Sequence, residues 1–363
     1  MSIRSEKIVY RYSKLTPAII MKRIKFAAMI FSISSIFPGT ILSQSIIFEK
    51  LGSFLSGYEH AFAPGASAQY FDTDKVIVLN RDHFSVYNNS GDLINSFGTQ
   101  GRGPGDIGRA MSYSMSENEN LLMVLDHQNR RISTFNPKEG SFVETYPIDY
   151  TVNALHGLYF WHDYVTITGN HQDNNALLHF HDKSSKEYEF SVGEFIDWDI
   201  TGIQFVSRSI QNQLNSGKFA KTDQGYLLLL NAPYEIRHYS DEHTLLWEST
   251  DDVIPEPWVE HIEVTPNSYE VKFYPSLVDL RELNENYFFV HWYEPIPLED
   301  RTQWSYYADL RDLNDGSLIT RKKLPFLGQI RDLKALGVQT YQVIVQEGSN
   351  YGFDEYRMKI IEE

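Results

Sequence analysis

The chain of 363 residues contains no cysteine. That absence excludes disulfides, thiolate metal sites, cysteine nucleophiles and lipidation of an N-terminal cysteine. Basic residues are scarce, with 32 Lys and Arg against 48 Asp and Glu and a net charge of −16. A nucleic acid needs counter-charge, so it is not an expected partner of the chain as a whole. The sequence has no Gly-x-Ser-x-Gly elbow, no His-Glu-x-x-His, no phosphate loop ending in Gly-Lys-Ser/Thr and no EF-hand ladder. Gly101-Arg-Gly103-Pro-Gly105 resembles a nucleotide loop only superficially, because no helical pattern follows to present its N-terminus to phosphate.

Long apolar runs are also missing, with one short exception near the N-terminus. Lys22-Arg23-Ile24-Lys25 precedes an uncharged stretch from Phe26 to Phe37, then Pro38-Gly39 and small or polar residues around Ser43 to Ser45. This is the order of a secretory signal, and the stretch falls short of the roughly 20 residues that a spanning helix needs. The expectation is an exported protein, periplasmic, outer-surface or secreted, with no stable membrane insertion after cleavage. Residues 1–43 would be an upstream extension and signal peptide, with Met1 and Met21 both usable starts, and 44–363 the folded domain. Loss of 1–43 removes seven basic residues and one acidic one, leaving 25 against 47.

Internal repeats indicate the fold. Phe48 to Gly57 is echoed by Ile94 to Gly103, about 46 residues on. Each copy leads through a short strand and a turn to a continuous aliphatic run, Val76 to Leu79 or Leu121 to Leu125. A polar turn and an alternating strand follow, Phe84 to Tyr87 or Ile132 to Phe135, then a Gly/Asn hairpin. Four strands per unit with the second apolar throughout match a propeller blade, whose inner strands are buried on both faces. Second strands are predicted again at Tyr164 to Thr168, Tyr226 to Asn231, Tyr287 to Trp292 and Thr340 to Gln346, each followed by a third strand. The predicted fold is therefore all-β, a six-bladed β-propeller of four-stranded antiparallel blades. Its last unit ends at Glu363 without a fourth strand, and the orphan strand Ile46 to Leu51 is expected to supply it and close the ring.

Phe97-Gly-Thr-Gln-Gly-Arg-Gly-Pro-Gly-Asp106, followed by Val124-Leu-Asp-His-Gln-Asn-Arg-Arg-Ile-Ser-Thr-Phe135, resembles the NHL repeat, a Gly-rich connector and then V-x-D-x-x-N-x-R-I-x-x-F. The whole chain is similar to exported bacterial six-bladed propellers of the TolB-like or NHL-like kind. That resemblance implies the fold; such propellers serve as enzymes, ligand binders and docking discs alike.

In a four-stranded meander the connectors between blades share one face with the turns between second and third strands. Arg81, Arg102, Arg109, His127, Arg130, His171, Tyr234, Trp292 and Tyr293 fall there, whereas the opposite face receives ordinary turn residues. Convergent cations and aromatics make the connector face the expected binding site, and each of these residues also has a plain structural role open to it. Arg130 and Arg131, for example, could brace a blade. Two long insertions, 193–220 and 251–275, are candidates for a lid or for passive elaboration. No cofactor is expected, although His179 and His181 share a strand face suited to zinc, and Asp72-Thr-Asp74 and Asp312 to Asp315 offer oxygen ligands for calcium. The functional expectation is an exported, non-catalytic binding module for a protein, peptide or glycan of the cell envelope. The alternative is a metal-dependent lyase or hydrolase with its site in the central channel.

Overall fold

The computed structural model describes residues 7–8, 44–55, 62, 66–72, 74–80, 83–116, 120–148, 152–171, 176–194, 217–230, 234–250, 258–265, 268–274, 276–297, 302–347 and 352–362. Six four-stranded antiparallel sheets follow one another along the chain. Blade 1 runs Ser67–Phe71, Lys75–Asn80, His83–Asn88 and Leu93–Phe97, and blade 2 runs Ala110–Ser116, Leu121–Asp126, Arg131–Asn136 and Ser141–Pro147. Blade 3 comprises Val152–Trp161, Tyr164–His171, Ala176–Asp182 and Tyr188–Glu194; blade 4 comprises Gly217–Thr222, Gly225–Leu230, Glu235–Ser240 and Leu245–Thr250. Blade 5 is Ser276–Asn284, Tyr287–Pro297, Thr302–Asp312 and Leu318–Lys323. Blade 6 takes Gly328–Gly337, Thr340–Glu347 and Phe353–Glu362 from the C-terminus and Gln44–Phe54 from the start of the domain, paired from Gln44 with Glu362 to Phe54 with Phe353. The protein is a six-bladed β-propeller closed by its N-terminal strand, as the repeats predict.

The apolar second strands explain why the ring holds. Side chains alternate across a strand, so a strand between two neighbouring blades must be apolar on both faces. Leu227 and Leu229 pack toward blade 5, while Leu228 and Leu230 pack toward blade 3. Val76 and Val78 likewise face blade 6, and Ile77 and Leu79 face blade 2. The described core divides into six clusters, each filling one interface between consecutive blades. The turn between the first two strands of blade 4 demands glycine, because Gly225 has φ +140° and a Cβ there would strike the Tyr239 carbonyl.

The NHL-like motif of blade 2 is a hydrogen-bonded brace. Asp126 is fully buried, and its carboxylate accepts from the Gly108 and Arg109 amides at 3.0 Å each, the Asn129 amide at 3.3 Å and Asn129 Nδ2 at 2.6 Å. Arg131 donates to the carbonyls of Arg102, Gly103 and Asp106 at 3.1, 3.0 and 2.7 Å, pinning the Gly-rich connector to the blade. Arg131→Ala is expected to destabilise by about 1–3 kcal/mol, because three carbonyls lose a charged donor. Arg131→Lys should rescue little of it, since one ammonium cannot reproduce the planar fork. Urea denaturation of both variants checks this; a full rescue by lysine would contradict the brace.

The remaining pieces lie outside the ring. Trp258–Thr265 and Ser268–Tyr274 form a hairpin within the 251–275 insertion, and Lys7–Ile8, in the segment expected to hold no structure, pairs with Val259 and Glu260 of its edge. The 193–220 insertion is shorter than expected, since Gly217–Thr222 is the inner strand of blade 4. Its residues 195–216 lie outside the described residues, as do 9–43, which carry the expected signal peptide.

Candidate functional site

The inner strands of the blades enclose a channel with a cavity of about 870 Å³. All six inner strands meet there, and several place charge where a strand edge faces the axis. Blade 4 contributes Lys218, blade 5 Asp279 and Arg281, and blade 6 Arg331. Nearer the turns that lie opposite the connectors, the wall adds Lys183, Lys221, Asp223 and Glu282. Blades 1, 2 and 3 supply Ser67, Gln69, Tyr113, Ser114 and Tyr159.

Part of this charge is internally balanced. Arg281 Nε lies 2.8 Å from Asp279 Oδ2, and its Nη1 lies 3.0 Å from Asp332 Oδ1. The other oxygen of Asp332 accepts the Tyr70 amide at 2.7 Å, so one carboxylate joins blades 5, 6 and 1 around the axis. Burial lifts the Asp332 carboxyl above the ordinary range, although Arg281 and two backbone amides oppose the shift. Tyr113 donates to Ser67 Oγ at 3.1 Å, and burial raises the Tyr159 phenol to about 12.

Lys218 and Arg331 are different. Neither has a carboxylate within ion-pair distance among the described residues, and Arg331 donates to the neutral Gln346 amide oxygen at 2.6 Å. Arg331 sits where the register between Ile330 and Asp332 shifts, a bulge that leaves one residue out of the ladder and re-aims its side chain. Burial pulls the Lys218 ammonium below its ordinary pKa, with Asp279 opposing and Arg281 and Arg331 adding to the fall. Burial also lowers Arg331. At the turn end, burial raises Glu282 to about 7 although its carboxylate accepts the Asp223 amide at 3.1 Å.

The connector-face residues are scattered by comparison. Arg102 and Arg109 are exposed, His127 and Arg130 half-buried, and Arg130 occupies the tight turn with φ +48°. Tyr234 and Trp292 are buried, donating to the two oxygens of Asp309 at 3.1 and 3.0 Å, so their polar atoms serve the junction of blades 4 and 5. Tyr293 packs edge-on against Trp304 at 5.3 Å. Arg81 and the side chain of His171 lie outside the described residues. Of the metal candidates, His179 has Ser191 Oγ 2.7 Å from Nδ1 and the Gly169 carbonyl 3.2 Å from Nε2, which occupies both nitrogens. His181 packs against the Tyr188 ring, Asp72 lies 3.6 Å from both Lys75 and Lys138, and Asp312 caps its own turn through Asn314. No cluster of three or more His, Asp or Glu suited to a metal occurs among the described residues.

Lys218, Asp279, Arg281 and Arg331 escape a motif search because they are spread over three inner strands that share no spacing. Their signal is a charge inside an inner strand, legible only once six inner strands are known to converge.

Fold and channel together define a six-bladed propeller with a polar, cation-rich axial cavity. Residues 67–239 match the family DUF5128, described as a 6-bladed beta-propeller. No curated protein is similar to the chain in sequence. Among solved structures, a member of the DUF4221 family from Bacteroides vulgatus ATCC 8482 is similar with TM-score 0.59 and 8% identity, over 88% of this chain and 99% of that one. The WD40 repeats of RRP9 are similar with TM-score 0.50 and 9% identity, over 88% and 98%. Likeness at such identity speaks for the fold alone.

Proposed function

We propose that the protein is an exported, NHL-like or TolB-like propeller acting as a non-catalytic binding module, and that its ligand, a glycan or a peptide or protein segment of the cell envelope, seats in the central channel. The observation that carries this reading is the cavity of about 870 Å³ walled by convergent polar groups on rigid strands. Ligand sites are concave, largely preformed and oriented by a few placed polar groups, and this volume lies within their usual range of roughly 300–1,000 Å³. The connector face offers the exposed Arg102 and Arg109.

Blocking the channel tests the location. Ser114 is half-buried on the channel wall, so Ser114→Trp would set an indole against the cavity and obstruct part of it. Screened against an array of glycans and peptides, the protein should lose its hits with Ser114→Trp and keep them with Arg102→Ala/Arg109→Ala. The reverse pattern would return the ligand to the connector face. Export is checked by fractionation and by an N-terminus of the mature protein near Gln44. Stoichiometric metal in the purified protein, with a turnover lost on chelation, would replace the binding module by the metal-dependent enzyme.

A further inference from the structure

The channel's charge is opposite in sign to that of the molecule. The chain carries −16 overall, yet the channel wall holds Lys183, Lys218, Lys221, Arg281 and Arg331 against Asp223, Asp279 and Glu282. With Asp332 counted behind the wall, cations still exceed carboxylates. Protonation of Asp332 or Glu282, both held up by burial, would only widen the excess. Three cations lie close enough that Arg281 and Arg331 both depress Lys218, an arrangement that costs free energy in the empty protein. Lys218 and Arg331 are half-buried with no carboxylate in ion-pair distance among the described residues, a cost that a bound anion would offset.

From this we infer that the channel site takes a small organic carboxylate, held by Lys218 and Arg331, on a body rich in hydroxyl groups. The inference rests on the channel being the binding site. Arg281 is already satisfied by Asp279 and Asp332, so it fixes the wall and leaves the other two cations to the ligand. The hydroxyl-rich body follows from the facing wall, where Ser67, Gln69, Tyr113, Ser114 and Tyr159 offer neutral donors and acceptors. Size and charge also limit the ligand. The acidic exterior repels polyanions, and an excess of one or two cations in the channel matches one or two carboxylates. A uronic-acid sugar and a hydroxy acid such as citrate share this chemistry.

Isothermal titration calorimetry with glucuronate, galacturonate, citrate and glucose reads the inference, using the full mature protein and the variants Lys218→Gln, Lys218→Arg, Arg331→Gln and Ser114→Trp, each first shown by circular dichroism to melt cooperatively. The expected result is binding of a carboxylate but not of glucose, weakened about tenfold or more by Lys218→Gln and by Arg331→Gln and largely kept by Lys218→Arg. Preference for the uronates over citrate, or the reverse, identifies the source. The same carboxylate should raise the melting temperature of the unaltered protein and fail to do so for Lys218→Gln. Glucose binding as tightly as glucuronate and lost with Ser114→Trp would overturn the carboxylate while sparing the channel. Carboxylate binding that survives Ser114→Trp would overturn the channel reading itself. Binding by none of the four, or binding indifferent to both Lys218→Gln and Arg331→Gln, would overturn the inference.

Discussion

Replacement of Asp309 by alanine is expected to cost about 3–5 kcal/mol, the usual consequence of leaving buried charges without their counter-ion. Asp309 is fully buried in the third strand of blade 5 and accepts from four donor atoms, three on two other strands of its blade and one on the turn residue Tyr234. Arg321, directly opposite it in the ladder, gives Nε to Oδ1 at 2.7 Å and Nη2 to Oδ2 at 2.8 Å; the other two bonds come from Tyr234 of blade 4 and Trp292. The guanidinium of Arg321 stacks on Trp292 at 4.9 Å, and that of the buried Arg311 stacks on Tyr234 at 5.0 Å. Removing the carboxylate therefore takes the counter-ion from Arg321 and from Arg311, whose Nη2 lies 3.7 Å from it, and the acceptor from two aromatic donors. The midpoint of thermal unfolding should fall by roughly 6 °C or more, at about 2 °C or more per kcal/mol for a domain of this size. Asp309→Asn should be intermediate, because it keeps the shape and one acceptor. Asp309→Leu combined with Arg321→Met should recover part of the loss. A loss under about 1 kcal/mol for Asp309→Ala, measured by denaturant unfolding, would show the cluster to be better solvated than its burial indicates.

Acid is expected to weaken the fold well above the pH at which carboxylates titrate. His238 and His291 are buried, and burial pushes their pKa values down to about 4 and about 3, with the charge of Arg331 adding to the shift at His291. In the unfolded chain both would titrate near 6.5. Between those values the unfolded state binds more protons, so stability is complete above about pH 6.5 and drains as pH falls toward 4. Each unit of displacement is worth about 1.4 kcal/mol, so each imidazole withdraws on the order of 2–3 kcal/mol by pH 4.5. Glu282 works in the opposite sense, since its pKa is raised to about 7 and its native state gains protons over the same window. Asp332 and Glu355, also held up by burial, act in the same sense as Glu282, so the histidine loss is read as a difference in slope between the unaltered protein and a variant. Denaturant titrations at pH 7.5, 6.0 and 5.0 check it: His291→Leu should lose less stability toward acid than the unaltered protein. An equal slope for the two would contradict the burial of this ring.

Much of the ring was legible because blade strands repeat a local pattern. All six predicted second strands occur, each within a residue or so at its start, because a strand apolar on both faces leaves a continuous run such as Tyr226 to Leu230. The closing strand was legible from a missing partner, since a third strand ending at the C-terminus implies a fourth from elsewhere. Roles of single polar residues were harder to read. Arg131 braces its blade through carbonyls, the plain role open to it in the sequence, but the carbonyls it reaches and the buried Asp126 that holds the connector amides are visible only in the fold. Trp292 and Tyr234 fall among the connector-face candidates in the sequence and donate to Asp309, whose own importance no spacing announces.

The sequence by itself determined the strand order, the number of blades and the closure of the ring, because burial on two faces and turn chemistry are written into neighbouring residues. Only the tertiary structure decided where charge is concentrated. Lys218, Arg281 and Arg331 are far apart in the chain and share no motif, and they meet because six inner strands converge on one axis. Coulomb energy depends on distance through space, which the chain order does not encode.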